Sequence, residues 1–210
     1  TDRADLSAHR IDSQVAQQAT EAAVRTSFLA HVVHEEDRHS LRASGRKLFG
    51  EPIGGHPLSV SLSLPTPLVS AAEGQLGVAY VGLPDKDQTL ELTVQLGGET
   101  YQDVIRWSED SSTSTYLAGI HHVKRFAAHL PSEAQSVEAQ LQIAPAGRAA
   151  YLDYVTLVAP VALQYGGKGQ LAFRNFSATP GAIAEHRIGM TGSAGALQLW
   201  GRTAEGQVTS

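Results

Sequence analysis

From Pro57 onward, apolar side chains recur at every second position. Leu58, Val60, Leu62 and Leu64 alternate with Ser59, Ser61 and Ser63, which puts the apolar groups on one face of an extended strand and the hydroxyls on the other. The same period of two runs through Leu90, Leu92, Val94 and Leu96, and again through Val137, Ala139, Leu141 and Ile143. Gly97-Gly98 separates the second of these runs from Tyr101 to Trp107, the spacing of a hairpin closed by a tight turn. Leu76 to Leu83, Tyr116 to Ile120, Val123 to Leu130, Tyr151 to Ala159, Gln170 to Phe176 and Ala196 to Trp200 are further strand candidates. Clusters of Gly, Pro, Asp or Ser lie between most of them. About nine short strands with no helical period among them predict an all-β protein, an antiparallel two-sheet sandwich of jelly-roll type.

The first part of the chain reads differently. Thr1 to about Arg46 is rich in Ala, Gln, Glu, Arg and His. Gln14 to Arg25 has the spacing of a short amphipathic helix, with Val15, Ala19, Ala22 and Ala23 on one face. That stripe is mostly alanine and buries little surface. Phe28 to Val33 is the only bulky apolar run here and suits a strand. The expected organisation is a polar segment over residues 1–56, partly helical or extended, followed by a β-sandwich over 57–210.

Composition narrows the function classes. Hydrophobic residues make up 42% and charged residues 18% of the 210, which is a globular balance with enough apolar material for a core. Sixteen basic against 21 acidic residues leave a net charge of −5, so the chain lacks the basic footprint of a nucleic-acid binder. No apolar run approaches the roughly 18 residues of a membrane-spanning helix. Cysteine is absent, which removes disulfides, thiolate metal sites and a Cys nucleophile from this chain. The chain starts at Thr1 and its only methionine is Met190, the pattern of a processed or partial chain.

Candidate chemistry is sparse. His31, His34, Glu35, Glu36, Asp37 and His39 are the densest group of metal-type ligands. Their His spacings of three and five do not fit the helical pair of a zincin, and a solvated polar segment is the expected reading. Asp85 to Thr89 begins like a calcium loop but lacks its glycine and distal Glu, so it reads as a turn. Calcium held by non-contiguous ligands elsewhere in a sandwich is compatible with the sequence. Gly166 to Gly169 lacks the spacing and following helix of a phosphate loop. There is no Gly-x-Ser-x-Gly elbow. Trp107 and Tyr101 are the residues expected to stack on a sugar if the chain binds one, and Trp200 is expected to anchor a core or an interface. Strict alternation through Tyr151-Leu152-Asp153-Tyr154-Val155 puts Tyr151, Asp153 and Val155 on one face. An Asp there needs a hydrogen-bond partner or solvent.

Three segments resemble one family. Ser44-Gly45-Arg46, two residues, then Phe49-Gly50-Glu51 is similar to an amino-terminal signature of type IX secretion sortases, which are large cell-surface proteins of the gingipain cysteine-peptidase family. Leu48-Phe49 stands where the family has Trp-Tyr, and the strand Leu58 to Pro65 follows. Ala150-Tyr151-Leu152-Asp153-Tyr154 resembles a second family strand, with Leu163 and Gln170 to Phe176 after it. Leu197 to Trp200 resembles a third, which in the family continues Asp-Val-Thr; here Gly201-Arg202-Thr203 follows. Together they span about Val33 to Thr203.

The resemblance implies a non-catalytic sandwich ahead of a peptidase domain that this chain lacks, so no catalytic residue is carried over. It implies an exported chain at the cell surface or outer membrane. Its expected partners are its own downstream peptidase domain and other secretion or outer-membrane proteins. Gly50, Glu51, Tyr151, Asp153 and Trp200 then become structural or interface residues. The competing reading is an independent jelly-roll carbohydrate-binding module. A lyase or esterase on a sandwich scaffold is a third, for which the sequence assembles no site.

Overall fold

The computed structural model describes residues 23–40, 47–54, 56–70, 72–82, 89–106, 120–144, 150–166, 170–173, 184–191, 201–202 and 208–209. Its strands, in chain order, are β1 (Ala23–Arg25), β2 (Ser27–Glu35), β3 (Pro52–Ile53), β4 (Leu58–Ser63), β5 (Glu73–Gly82), β6 (Thr89–Leu96), β7 (Glu99–Arg106) and β8 (Ile120–His129). They continue with β9 (Ser136–Ala144), β10 (Ala150–Ala162), β11 (Gln164–Tyr165), β12 (Ala184–His186), β13 (Gly189–Met190), β14 (Gly201–Arg202) and β15 (Val208–Thr209).

Nine of these strands make the two sheets of the sandwich, eight in its main order and the short β3 as an addition. One sheet has the order β2-β10-β5-β8, with β3 added beside β10; the other has the order β4-β9-β6-β7. Pairing within both sheets is antiparallel. Numbered along the chain, the two sheets run 1-8-3-6 and 2-7-4-5, the interleaved order of two Greek keys in a jelly roll. Each sheet buries one face. Val60, Leu62, Leu90, Leu92, Val94, Leu96, Val137, Leu141 and Ile143 from the second sheet are at most 3% exposed, as are Leu76, Val78, Tyr80, Leu152, Val155 and Leu157 from the first. The alternating runs read in the sequence therefore become the inner faces, and the serines of β4 point outward as the period requires.

Gly97 and Gly98 join β6 to β7 with φ of +61° and +87°. Both central residues are left-handed, which is the two-residue hairpin turn whose twist matches its strands. The expected helix ending at Arg25 gives way to β1, which pairs in parallel with β12. Val24 favours extended backbone, and pairing satisfies its amides where an alanine stripe would bury little; residues 14–22 lie outside the described residues. Gln170 to Phe173, expected in a strand, has no ladder. It packs instead through side chains, the Phe173 ring lying 6.0 Å from that of Phe28. The sandwich draws on both sides of residue 56, because β2 and β3 are hydrogen-bonded to β10.

Candidate functional site

The strand beginning Ala150-Tyr151-Leu152-Asp153 does not keep strict alternation. Leu152 pairs with Tyr80 and Tyr154 with Ala79, so Asp153 is an extra residue, a β-bulge. Ala150 and Leu152 face the core before the bulge, and Val155, Leu157, Ala159 and Val161 face it afterwards. The expected shared face of Tyr151, Asp153 and Val155 is thus corrected. The inserted residue flips the parity, Val155 turns inward, and Tyr151 stays half-buried outside with its ring 5.4 Å from His39.

The bulge lies where the partner of β10 changes from β3 to β2, and residues 36–40 and 47–51 between those two strands fold back over it. The amides of Arg38 and His39 donate to the Phe49 carbonyl, and the Phe49 amide donates to the His39 carbonyl, all at 2.8 Å. The Gly50 amide then donates to the Leu152 carbonyl at 2.7 Å, and the Leu152 amide to the Glu51 carbonyl at 2.9 Å. A Cβ at Gly50 would come within 3.0 Å of the Glu36 carbonyl oxygen, so this close crossing of backbones calls for glycine. Phe49 is 6% exposed and stands apart from the inter-sheet core. So do Ala79 and Val81, which alternation assigns to the outer face of β5. This end of the sheet is therefore buried on both faces.

Charge is compensated within this fold-back. Asp153 is 9% exposed, and its Oδ2 lies 2.6 Å from His121 Nε2 and 3.5 Å from Lys47 Nζ. A buried carboxylate needs such partners. Lys47 also sits 5.1 Å over the Phe49 ring. Beside them, His34 Nε2 is 3.2 Å from Glu51 Oε1, and Glu36 is ion-paired with Arg38. His34 lies in β2 and Glu36 just past its end, two residues on, and their ligand atoms lie within 4.8 Å of each other.

A second polar group lies between the sheets. Asp103 on β7 pairs with Lys124 on β8 at 2.8 Å. Tyr80 is fully buried, and its hydroxyl has no hydrogen-bond partner among the described residues. Burial, then the Asp103 charge, push the Tyr80 hydroxyl well above the ordinary tyrosine range. Burial holds the His122 imidazole below its ordinary value; Asp103 opposes this and His121 adds to it.

Gly50, Glu51, Tyr151 and Asp153, singled out from the sequence as structural or interface residues, meet in the fold-back. Tyr101 lies on β7 with its ring 5.5 Å from Phe126; its hydroxyl donates to Glu99 Oε2 at 2.6 Å and accepts from the His129 amide at 3.2 Å. Trp107, Trp200, Tyr116 and the turns at Asp85 to Gln88 and Gly167 to Gly169 lie outside the described residues. Sequence reasoning passed over His121 and Lys47 and treated His34 and Glu36 as solvated. Their partners come from distant segments, His121 from 32 residues before Asp153 and His34 from 17 before Glu51. Only the alternation of His34 and Glu36 on a strand was available as a signal.

No protein-family model matches the sequence, and no curated protein matches it. Among solved structures, dimeric latent PorU from Porphyromonas gingivalis aligns with 80% of this chain at a TM-score of 0.65 and 22% identity. This chain spans only 16% of the length of that one. The CBM36-1 domain of a multidomain xylanase from the hindgut metagenome of Trinervitermes trinervoides aligns with 68% of this chain and 99% of its own, at 13% identity and a TM-score of 0.37. TmCBM61, solved with β-1,4-galactotriose, aligns with 62% of this chain and 86% of its own, at 13% identity and a TM-score of 0.34. The likeness to part of PorU is one of fold.

Proposed function

We propose that this chain is a non-catalytic jelly-roll domain of a larger exported protein related to PorU, which packs against and positions a cysteine-peptidase domain in type IX secretion. The observation that carries the reading is the meeting of Phe49-Gly50-Glu51, the described part of one sequence signature, with a second signature (Ser44 to Arg46 lie outside the described residues). The Ser-Gly-Arg…Phe-Gly-Glu segment and the Ala-Tyr-Leu-Asp-Tyr strand lie about a hundred residues apart in sequence, and Gly50 and Glu51 hydrogen-bond to Leu152 across that gap. Residues that resemble a family pattern in two places have a physical reason to occur together if one folds onto the other. The fold likeness to part of PorU supports the same assignment.

The face assigned to the peptidase domain is the outer face of the β2-β10-β5-β8 sheet. Leu29, Val33 and Val123 are 47%, 48% and 44% exposed there. Pro160 is paired with Leu29 and Thr156 with Val33. Gly77, opposite Thr156, leaves space that the Thr156 hydroxyl fills. Apolar groups left half-exposed on a sheet face suit an inter-domain contact.

The test is the native size of the protein, read by immunoblot of fractionated source cells with antibody to this chain. A band several times heavier than 22.3 kDa in the outer-membrane fraction is expected. A band near that mass in a soluble fraction would refute the reading. So would a saturable micromolar glycan site found by calorimetry, which would favour the carbohydrate-binding module.

A further inference from the structure

We propose that His34, Glu36 and Glu51 form a binding site for a divalent transition-metal cation of the zinc type, at the seam where the fold-back joins β2. One ligand atom from each of the three lies within 4.8 Å of the others. His34 Nε2 and Glu51 Oε1 are already 3.2 Å apart. Bonds of about 2.0–2.2 Å to a tetrahedral ion put neighbouring ligand atoms about 3.3–3.6 Å apart, so the His34–Glu51 pair at 3.2 Å is close to the required spacing and the Glu36 oxygen, within 4.8 Å of both, has to move in by about 1 Å or less.

The unsatisfied chemistry of Glu51 points the same way. Its side chain is 14% exposed, and Oε2 is buried with no hydrogen-bond donor among the described residues, although Oε1 meets His34. A buried carboxylate oxygen without a donor is costly. The Arg38 guanidinium compensates Glu36, and among the described residues no comparable permanent cation is paired with Glu51. With His34 neutral, two carboxylates and one guanidinium leave the cluster one negative charge in excess. A divalent ion would take up that charge and give Oε2 a partner.

The backbone that carries the ligands is held before any ion arrives. His34 is in the β2 ladder opposite Val155. Glu51 is tied to Leu152 through its carbonyl, and the Glu36 carbonyl closes on Gly50. His34 lies on a paired strand and Glu36 and Glu51 directly beside strand ends, where backbone keeps its spacing better than on a free loop. The donor set also selects the ion, because one imidazole nitrogen with carboxylate oxygens suits zinc and its neighbours, whereas calcium prefers oxygen alone. Three protein ligands leave the remaining position to water or to a group from a partner. Binding there would lock the segment bearing Lys47, Phe49 and Gly50 onto the Asp153 bulge. The site does not depend on the function proposed above.

The experiment is calorimetric titration of the metal-stripped chain with zinc chloride in a non-coordinating buffer, with thermal melting in parallel. One zinc per chain at micromolar affinity is expected, with a rise in melting temperature. Glu51→Gln and His34→Ala should each weaken binding about tenfold or more. His31→Ala should not, because His31 is exposed on the opposite face of the same strand. Circular dichroism and melting of each metal-free variant separate loss of the site from loss of fold, and Glu51→Gln preserves shape if His34→Ala does not fold. Binding only at millimolar zinc, binding unchanged by Glu51→Gln, or equal affinity for calcium would overturn the assignment.

Discussion

Replacing Tyr80 with Phe tests whether the buried hydroxyl between the sheets is a liability. The Tyr80 side chain is fully buried, its ring lies 5.9 Å from that of His122, and its hydroxyl has no hydrogen-bond partner among the described residues. Phenylalanine keeps the ring and its packing and removes only the oxygen. An unpaired buried hydroxyl costs about 1–3 kcal/mol in proteins, so Tyr80→Phe should stabilise by about that amount. For a chain of this size the melting temperature should rise by about 2–12 °C.

A second, pH-dependent part has its sign set by the raised pKa. The folded state keeps the Tyr80 proton while the unfolded chain releases it near the ordinary value of 10.0. Stability is therefore complete below pH 10 and lost as pH rises above it. At pH 11 that loss is about 1.4 kcal/mol, which is RT ln 11 for a group fully protonated when folded. Urea unfolding of both proteins at pH 8 and pH 11 measures the two parts separately. The Phe variant should be the more stable at pH 8, and the gap should widen at pH 11. A variant less stable than the parent at pH 8, or a gap that does not widen, would refute the reasoning.

Three further outcomes follow from the same structure. Gly97→Ala places a Cβ on left-handed backbone and 3.0 Å from the His129 carbonyl oxygen; it should lower the urea midpoint by an amount equivalent to about 1–2 kcal/mol. Leu92→Ala, at a fully buried position, should cost about 2–5 kcal/mol, whereas Leu29→Ala, at 47% exposure, should change stability by about 0.5 kcal/mol or less; equal losses in chemical denaturation would contradict the assignment of inner and outer faces. Acid should destabilise the fold in two steps, because burial lowers the His122 pKa from 6.5 and hydrogen bonding from Tyr101 and His129 lowers that of Glu99 from 4.5. Each depressed group contributes stability above its unfolded pKa and loses it as pH falls through the folded value, so melting temperature should drop first below about pH 6.5, and His122→Gln should flatten that first step.

Much of the sandwich is legible in the sequence because each inner face is written locally. Leu58 to Leu64, Leu90 to Leu96 and Val137 to Ile143 carry a period of two that any extended segment must turn into one apolar face. Gly97-Gly98 carries a turn that few residues other than glycine can make. The side chains at those positions therefore determined the strands, their inward faces and one hairpin before any partner was known. The number of strands pointed to a jelly roll, but which strands pair was not legible, since alternation says which side of a strand is buried and not which strand lies beside it.

The fold-back depends on tertiary structure almost entirely. Nothing near Asp153 in the chain announces a bulge, because the extra residue exists only relative to Tyr80 and Ala79 on β5. Nothing near His34 and Glu36 announces Glu51, because β10 brings the two segments together by pairing with β2 on one side of the bulge and β3 on the other. The amino acids thus determined which positions avoid water, a property each side chain carries with it. Which charges meet was decided by the three-dimensional path of the backbone, because a hydrogen bond or an ion pair belongs to two groups at once.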